Sequence, residues 1–183
     1  RSRIVATAWD GTGGRELAIE RGLLAIVPAP GGTHIAISHA PRGEGSAYRG
    51  IDIVDVRTGE RRSLFAGECV AFFWAPRGEW LLVAQIDSED NCVRWLRVWA
   101  DGRGTDGLAT FWPTRDIRFY LHFFDQYATS HSLVSADGRF LVYAGYPAGD
   151  GQADLSRPPR LYVKDTSALD SPPEDLGQGT FAV

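Results

Sequence analysis

The sequence predicts an all-β fold class built from repeated four-stranded antiparallel units, and three observations carry that expectation. A turn-and-strand phrase recurs, as Pro30-Gly31-Gly32-Thr33-His34-Ile35-Ala36-Ile37, then Pro76-Arg77-Gly78-Glu79-Trp80-Leu81-Leu82-Val83, then Ala136-Asp137-Gly138-Arg139-Phe140-Leu141-Val142-Tyr143. Each copy is followed by a second phrase that alternates apolar and polar residues and stops at a Gly or Asp turn. Helix signals are almost absent, and the one helical candidate, Gly14–Leu24, has strand-like neighbours on both sides. A tight glycine turn feeding an apolar strand, repeated at intervals of 46 and 60 residues between Gly32, Gly78 and Gly138, marks a β-propeller or a related repeat array.

The elements follow in order. Ile4–Ala8 and Arg15–Glu20 read as the second and third strands of a leading unit. The alternating phrases Ile51–Val56, Arg94–Trp99 and Arg160–Asp165 read as half-buried strands with period two. In the clearest copy the four strands span about 69–75, 80–86, 93–99 and 107–112. The expected blades are 1–27, 28–68, 69–113 and 131–176, with a long connection at 114–130 and the start of a further strand at 177–183. Loops rich in Gly, Pro and Ser lie at 41–50, 87–92 and 146–159. The turn glycines supply the positive φ that a side chain resists. Phe72, Phe73, Trp74, Trp80, Trp95, Trp99, Phe140 and Tyr143 read as packing residues, because wide aromatic faces fill the wedge between neighbouring sheets.

Ser135-Ala136-Asp137-Gly138-Arg139-Phe140-Leu141-Val142 resembles the signature of the TolB-type, WD40-like propeller repeats of bacterial proteins. Trp74-Ala75-Pro76-Arg77-Gly78-Glu79 is similar, with Arg77 in place of the usual Asp, and Pro28-Ala29-Pro30-Gly31-Gly32 is looser. Val54-Asp55-Val56-Arg57-Thr58-Gly59-Glu60 also fits the family's tail phrase. The resemblance covers nearly the whole chain and implies a scaffold that works beside another module, in an extracytoplasmic bacterial setting. It carries little about function, because such blades serve many roles.

The ends bear on ring size. Gly179–Val183 reads as the start of another innermost strand, and Arg1–Val5 as a strand that has lost its turn. The two termini pair to close about four blades, or the chain is part of a larger ring, completed by further blades or a second copy. The second reading is preferred, since an open blade edge exposes unpaired backbone. The chain has no Met and opens on Arg1-Ser2-Arg3, so it reads as a piece without its translational start.

Composition excludes several functions. At 183 residues the chain can bury one substantial core. Its net charge of −4 provides no basic footprint for nucleic acid, and no apolar run reaches the ~20 residues of a membrane-spanning helix. Eighteen arginines against the single Lys164 read as genome bias rather than as a functional surface. Cys69 and Cys92 cannot form a multi-thiolate zinc site. Placed at the start of an innermost and of a third strand, they lie two spacings of ~4.8 Å apart. That exceeds the roughly 7 Å Cα limit for a disulfide unless a loop bends inward.

No catalytic motif emerges. Ser46 fails the G-x-S-x-G spacing of a nucleophile elbow, Gly11-Thr12-Gly13-Gly14 lacks the Lys of a phosphate loop, and no carboxylate pair suits glycoside chemistry. The acidic stretches Asp87–Asn91 and Asp150–Asp154 lack the ligand order of a calcium loop. The best candidate site is the aromatic connection 114–130 and the residue after it. There His122, Asp125, Gln126, Tyr127 and His131 are a candidate ligand-binding surface at the channel mouth. The competing reading is a structural cap whose polar groups bond to backbone while Phe123 and Phe124 are buried, and it weighs more because so apolar a loop must bury much of itself. His122 and His131 with Asp125 between them match no standard metal spacing, so neither metal nor cofactor is expected.

The leading expectation is a non-catalytic scaffold that binds a protein or peptide partner through its loop-bearing face, with self-association completing the ring as a further possibility. A gating segment resembling the propellers of prolyl oligopeptidases, with catalysis elsewhere, is the enzyme-class alternative. A propeller binding a small molecule or sugar through 114–131 is the third.

Overall fold

A computed structural model describes residues 2–20, 22–40, 47–87, 92–149 and 152–182. Arg1, Arg21, the loop tips 41–46 (with Ser46) and 88–91, Asp150, Gly151 and Val183 lie outside the described residues, and with them most of the expected acidic loops.

The turn phrases build the same turn three times. Gly32, Gly78 and Gly138 have φ of 69°, 77° and 78°. In each copy the glycine N–H donates three residues back, to the carbonyls of Ala29, Ala75 and Ser135 at 3.0, 2.8 and 2.8 Å. Those three residues in turn donate to the carbonyls of His34, Trp80 and Phe140, closing the hairpin. Only glycine reaches this left-handed backbone without a Cβ penalty, which is why the phrase pivots on it.

Around these turns the strands are β1 (Ser2–Ala6), β2 (Arg15–Glu20), β3 (Leu23–Pro28), β4 (His34–Ala40), β5 (Tyr48–Asp55), β6 (Arg61–Cys69), β7 (Ala71–Trp74), β8 (Trp80–Asp87), β9 (Cys92–Trp99) and β10 (Thr105–Pro113). Two helices follow, α1 (Arg115–His122) and α2 (Phe124–Tyr127). Then come β11 (Phe140–Tyr146), the small hairpin β12 (Ala148–Gly149) and β13 (Gln152–Ala153), β14 (Arg160–Asp165) and β15 (Glu174–Gln178).

All pairing is antiparallel. β3-β4-β5-β6 is one four-stranded sheet, and β1-β2 stands as a two-stranded one. β7-β8-β9-β10 is formally continuous with β11-β14-β15, but the join is only Trp112 opposite Tyr146 and Pro113 opposite Gly145. A bridge from Val134 to Leu141 supplies the inner edge of the last unit.

Two expectations shift. β2 immediately precedes the inner strand β3, as β6 precedes β7, so β1 and β2 hold the third and fourth positions of their unit rather than the second and third. Turn chemistry alone cannot number hairpins, because consecutive ones use the same Gly and Asp signals. For the same reason Cys69, expected to open an inner strand, closes β6 opposite Tyr48. Cys69 and Cys92 are both buried as thiols, and burial pushes the Cys69 thiol up to about 12. The stretch 177–183 has no strand beyond Gln178 among its described residues.

The core explains why these strands are so apolar. On β4 and β5, Ile35, Ile37 and Val54 turn toward Ile4 of the first hairpin, while Ala36, Ile51 and Ile53 face the main core with Phe72, Leu82 and Trp95. A sheet covered on both faces needs apolar residues at both parities of the strand. The sheets are also latched in series. Arg15 of β2 donates to Arg57 O, Arg62 of β6 to Ala100 O, and Arg97 of β9 to Thr166 O at 3.0 Å. Each acceptor lies in the turn after β5, β9 or β14; Arg15 and Arg62 reach it from the strand that closes their sheet, and Arg97 from β9 within its sheet. Deeper in, Trp74 Nε1 donates to Val27 O at 2.9 Å, tying β7 to β3.

Candidate functional site

The connection 114–130 is helical, against the expectation of an irregular loop. Thr114 caps α1: its backbone is extended and its hydroxyl accepts from Ile117 N at 3.2 Å. Asp116 lies in the first turn, where a negative charge complements the helix dipole. Ile117, Tyr120, Leu121 and Phe124 are buried at a spacing of three, four and seven residues. That period, behind a Thr cap, is the helix signal in this stretch. Phe123 ends α1, its N–H bonding to both Phe119 O and Tyr120 O, and α2 starts at once. The Phe124 ring then packs among Phe72, Tyr48 and Phe73 at centroid distances of 4.9, 5.6 and 5.7 Å. α2 therefore rests on the inner strands β3 and β7.

This anchoring leaves a cavity of about 540 Å³ beside the outer face of α1. Arg115, Asp116, Phe119 and Tyr120 of α1, Tyr127 of α2, His131 and Phe181 line it. The aromatic wall is continuous: Tyr120 stacks on Tyr127 at 5.7 Å and meets Phe181 edge-on at 5.6 Å, and Tyr127 meets His131 edge-on at 5.5 Å. The Tyr120 hydroxyl donates to His131 O at 2.6 Å, and burial raises its pKa well above the usual phenol value. It offers the cavity a ring and no free proton. Ser130 Oγ lies 2.8 Å from His131 Nδ1 and holds the imidazole in place. Phe119 is 60% exposed, a large apolar surface left uncovered at the rim. The tail reaches this site because the Thr114 hydroxyl also donates to Thr180 O at 2.6 Å.

Of the residues expected from sequence, Tyr127 and His131 line the cavity and the other three do not. His122 is exposed and packs edge-on against Phe123 at 4.7 Å. Asp125 is exposed in the first turn of α2, where its charge helps burial to raise the Tyr48 phenol. Gln126 is exposed, with its N–H bonded to Phe123 O at 3.0 Å. The break at Phe123 between α1 and α2 is what interrupts the helical period, so residues that a continuous helix would group with Phe119 are not all brought to the cavity. Arg115, Asp116 and Phe119 were legible from the amphipathic period, whereas Phe181 arrives from a distant segment with no local signal. Among the described residues no group of three His, Cys, Asp or Glu side chains is placed to hold a metal ion, and no helix is long and apolar enough to cross a membrane.

No protein-family model matches the chain, and no curated protein matches its sequence. Solved structures do. An oligogalacturonate lyase in complex with manganese superposes with a TM-score of 0.65 at 15% identity, over 96% of this chain and 42% of that one. TolB from Acinetobacter baumannii superposes with a TM-score of 0.54 at 15% identity, over 98% of this chain and 38% of that one. The chain thus spans about two fifths of the length of either protein. At this identity the likeness speaks for architecture alone, and it agrees with the turn-and-strand phrases read above. The chain has an all-β, propeller-like fold similar to that of TolB and of the oligogalacturonate lyase.

Proposed function

We propose that the chain is a non-catalytic propeller segment that binds a protein or peptide partner through the face bearing α1 and α2. The cavity carries this reading. Its volume suits a ligand group, its walls are aromatic, and the exposed ring of Phe119 at its rim is the kind of surface that partners cover. Tyr127 and His131 are the sequence-expected residues that would contact the partner, with Asp125, Gln126 and His122 at the periphery. Further propeller blades, or a second copy, would complete the ring around this face.

Anisotropy of a panel of labelled random heptapeptides tests the reading. Binders to the wild-type chain should weaken about tenfold or more with Phe119→Ala, a loss of about 1.4 kcal/mol. Binders indifferent to Phe119→Ala and His131→Ala would move the interaction off this face. A small-molecule or sugar ligand is the second reading, supported by the same aromatic wall, and it predicts binding of compact ring compounds without any peptide.

A further inference from the structure

Resting on the peptide-binding reading above, we infer that the cavity takes the C-terminal end of a polypeptide. The free carboxylate meets Arg115, the last amide N–H meets Asp116, and an aromatic or large apolar last side chain lies against Phe119, Tyr127 and Phe181.

The charge pattern points there. Most arginines with a described role in this chain are committed: Arg15, Arg62 and Arg97 to carbonyls of the next sheet, Arg61 to Glu20 and Asp52, Arg94 to Asp87, Arg139 to Asp165 and Arg160 to Asp175. Arg115 and Asp116 have no ion pair or side-chain hydrogen bond among the described residues; Arg57, Arg77, Arg118 and Arg157 share that condition, but only Arg115 among these arginines lines the cavity, with Asp116 beside it. An internal peptide segment offers a guanidinium a full negative charge only where it carries Asp or Glu, whereas every chain terminus does so beside its last side chain, and Arg binds a carboxylate in bidentate geometry.

The second feature is the wall. The Tyr120 hydroxyl is spent on His131 O, so Tyr120, Tyr127 and Phe181 present ring surface, and the Phe119 ring is open on its outer side. About 540 Å³ holds one or two residues and excludes a folded element. Recognition of a C-terminal carboxylate with a pocket for the last side chain is an established way to read peptide ends.

The probe is a fluorescein-labelled tetrapeptide ending in phenylalanine, prepared as the free acid and as the amide, with a serine-ended acid as control, titrated into the whole chain. The free acid should bind, amidation and the serine ending should each weaken binding about tenfold or more, and Arg115→Gln should erase the difference between acid and amide. Arg115 is exposed, so Arg115→Gln should keep the wild-type unfolding midpoint, and Arg115→Lys should restore part of the discrimination. Equal binding of acid and amide overturns the terminus assignment while the peptide-binding face stands. Binding of neither overturns both. N-acetylphenylalanine binding as tightly as the tetrapeptide would overturn the polypeptide assignment in favour of a small aromatic acid.

Discussion

Lys164, the only lysine, is 1% exposed, and its ammonium donates to Ala168 O at 2.6 Å, Leu169 O at 3.0 Å and Ser171 O. Three carbonyls from one turn satisfy its three protons, so the side chain pins the link between β14 and β15. Lys164→Met should strip those carbonyls of their donor and cost on the order of 3 kcal/mol in urea unfolding. A change under about 0.5 kcal/mol would show that water replaces it freely. The neighbouring Asp165 accepts from the Ser167 hydroxyl and N–H and from Arg139, and these bonds hold its carboxyl down from 3.8 to about 2. A depressed carboxylate stabilises the fold above its unfolded pKa and loses that effect as pH falls toward its folded one. Stability should therefore decline between about pH 4 and pH 2, and Asp165→Asn should flatten that part of the curve measured by chemical unfolding. An unchanged slope would assign the acid sensitivity to other carboxylates.

Elements here succeed or fail by their caps and inter-sheet contacts. The Thr114 hydroxyl serves α1 and the tail together, accepting from Ile117 N and donating to Thr180 O. Thr114→Ala should cost about 1 kcal/mol for the lost cap. It should also speed hydrogen exchange at Ile117 and loosen residues 179–182, since both lose the same oxygen. Exchange that rises at Ile117 but not in the tail would separate the two roles. The strands that were legible alternate or run apolar between glycine turns, and β8 and β9 match their expected bounds to within one residue; β6 and β15, which do neither, were not. The helices were obscured by their own composition. Phe119, Tyr120, Phe123, Phe124 and Tyr127 have modest helix propensity, so the stretch looks like an aromatic loop until the burial period of Ile117, Tyr120, Leu121 and Phe124 is counted. Packing on β3 and β7 overrides that propensity.

At the scale of the molecule, β1 and β15 are outer strands of their sheets, and Val5, Ile19 and Leu176 on the terminal sheets are exposed. Open edges with apolar side chains favour pairing with another chain. Light scattering of the 20.1 kDa chain should then give a mass above the monomer, rising with concentration. A monomer at every concentration would mean that these edges are tolerated in water, and that ring completion is not a property of this chain alone. The sequence by itself determined the all-β class, the three glycine-pivoted turns and the period-two strands, because those depend on local backbone sterics and on alternation about a pleat. It could not number the strands within a unit, since successive hairpins share one turn chemistry. Nor could it join Phe181 to Tyr120 or separate Tyr127 and His131 from His122, Asp125 and Gln126. Those outcomes were decided by tertiary packing: α2 anchored on the core fixes the rotation of α1, and that rotation selects which side chains face the cavity.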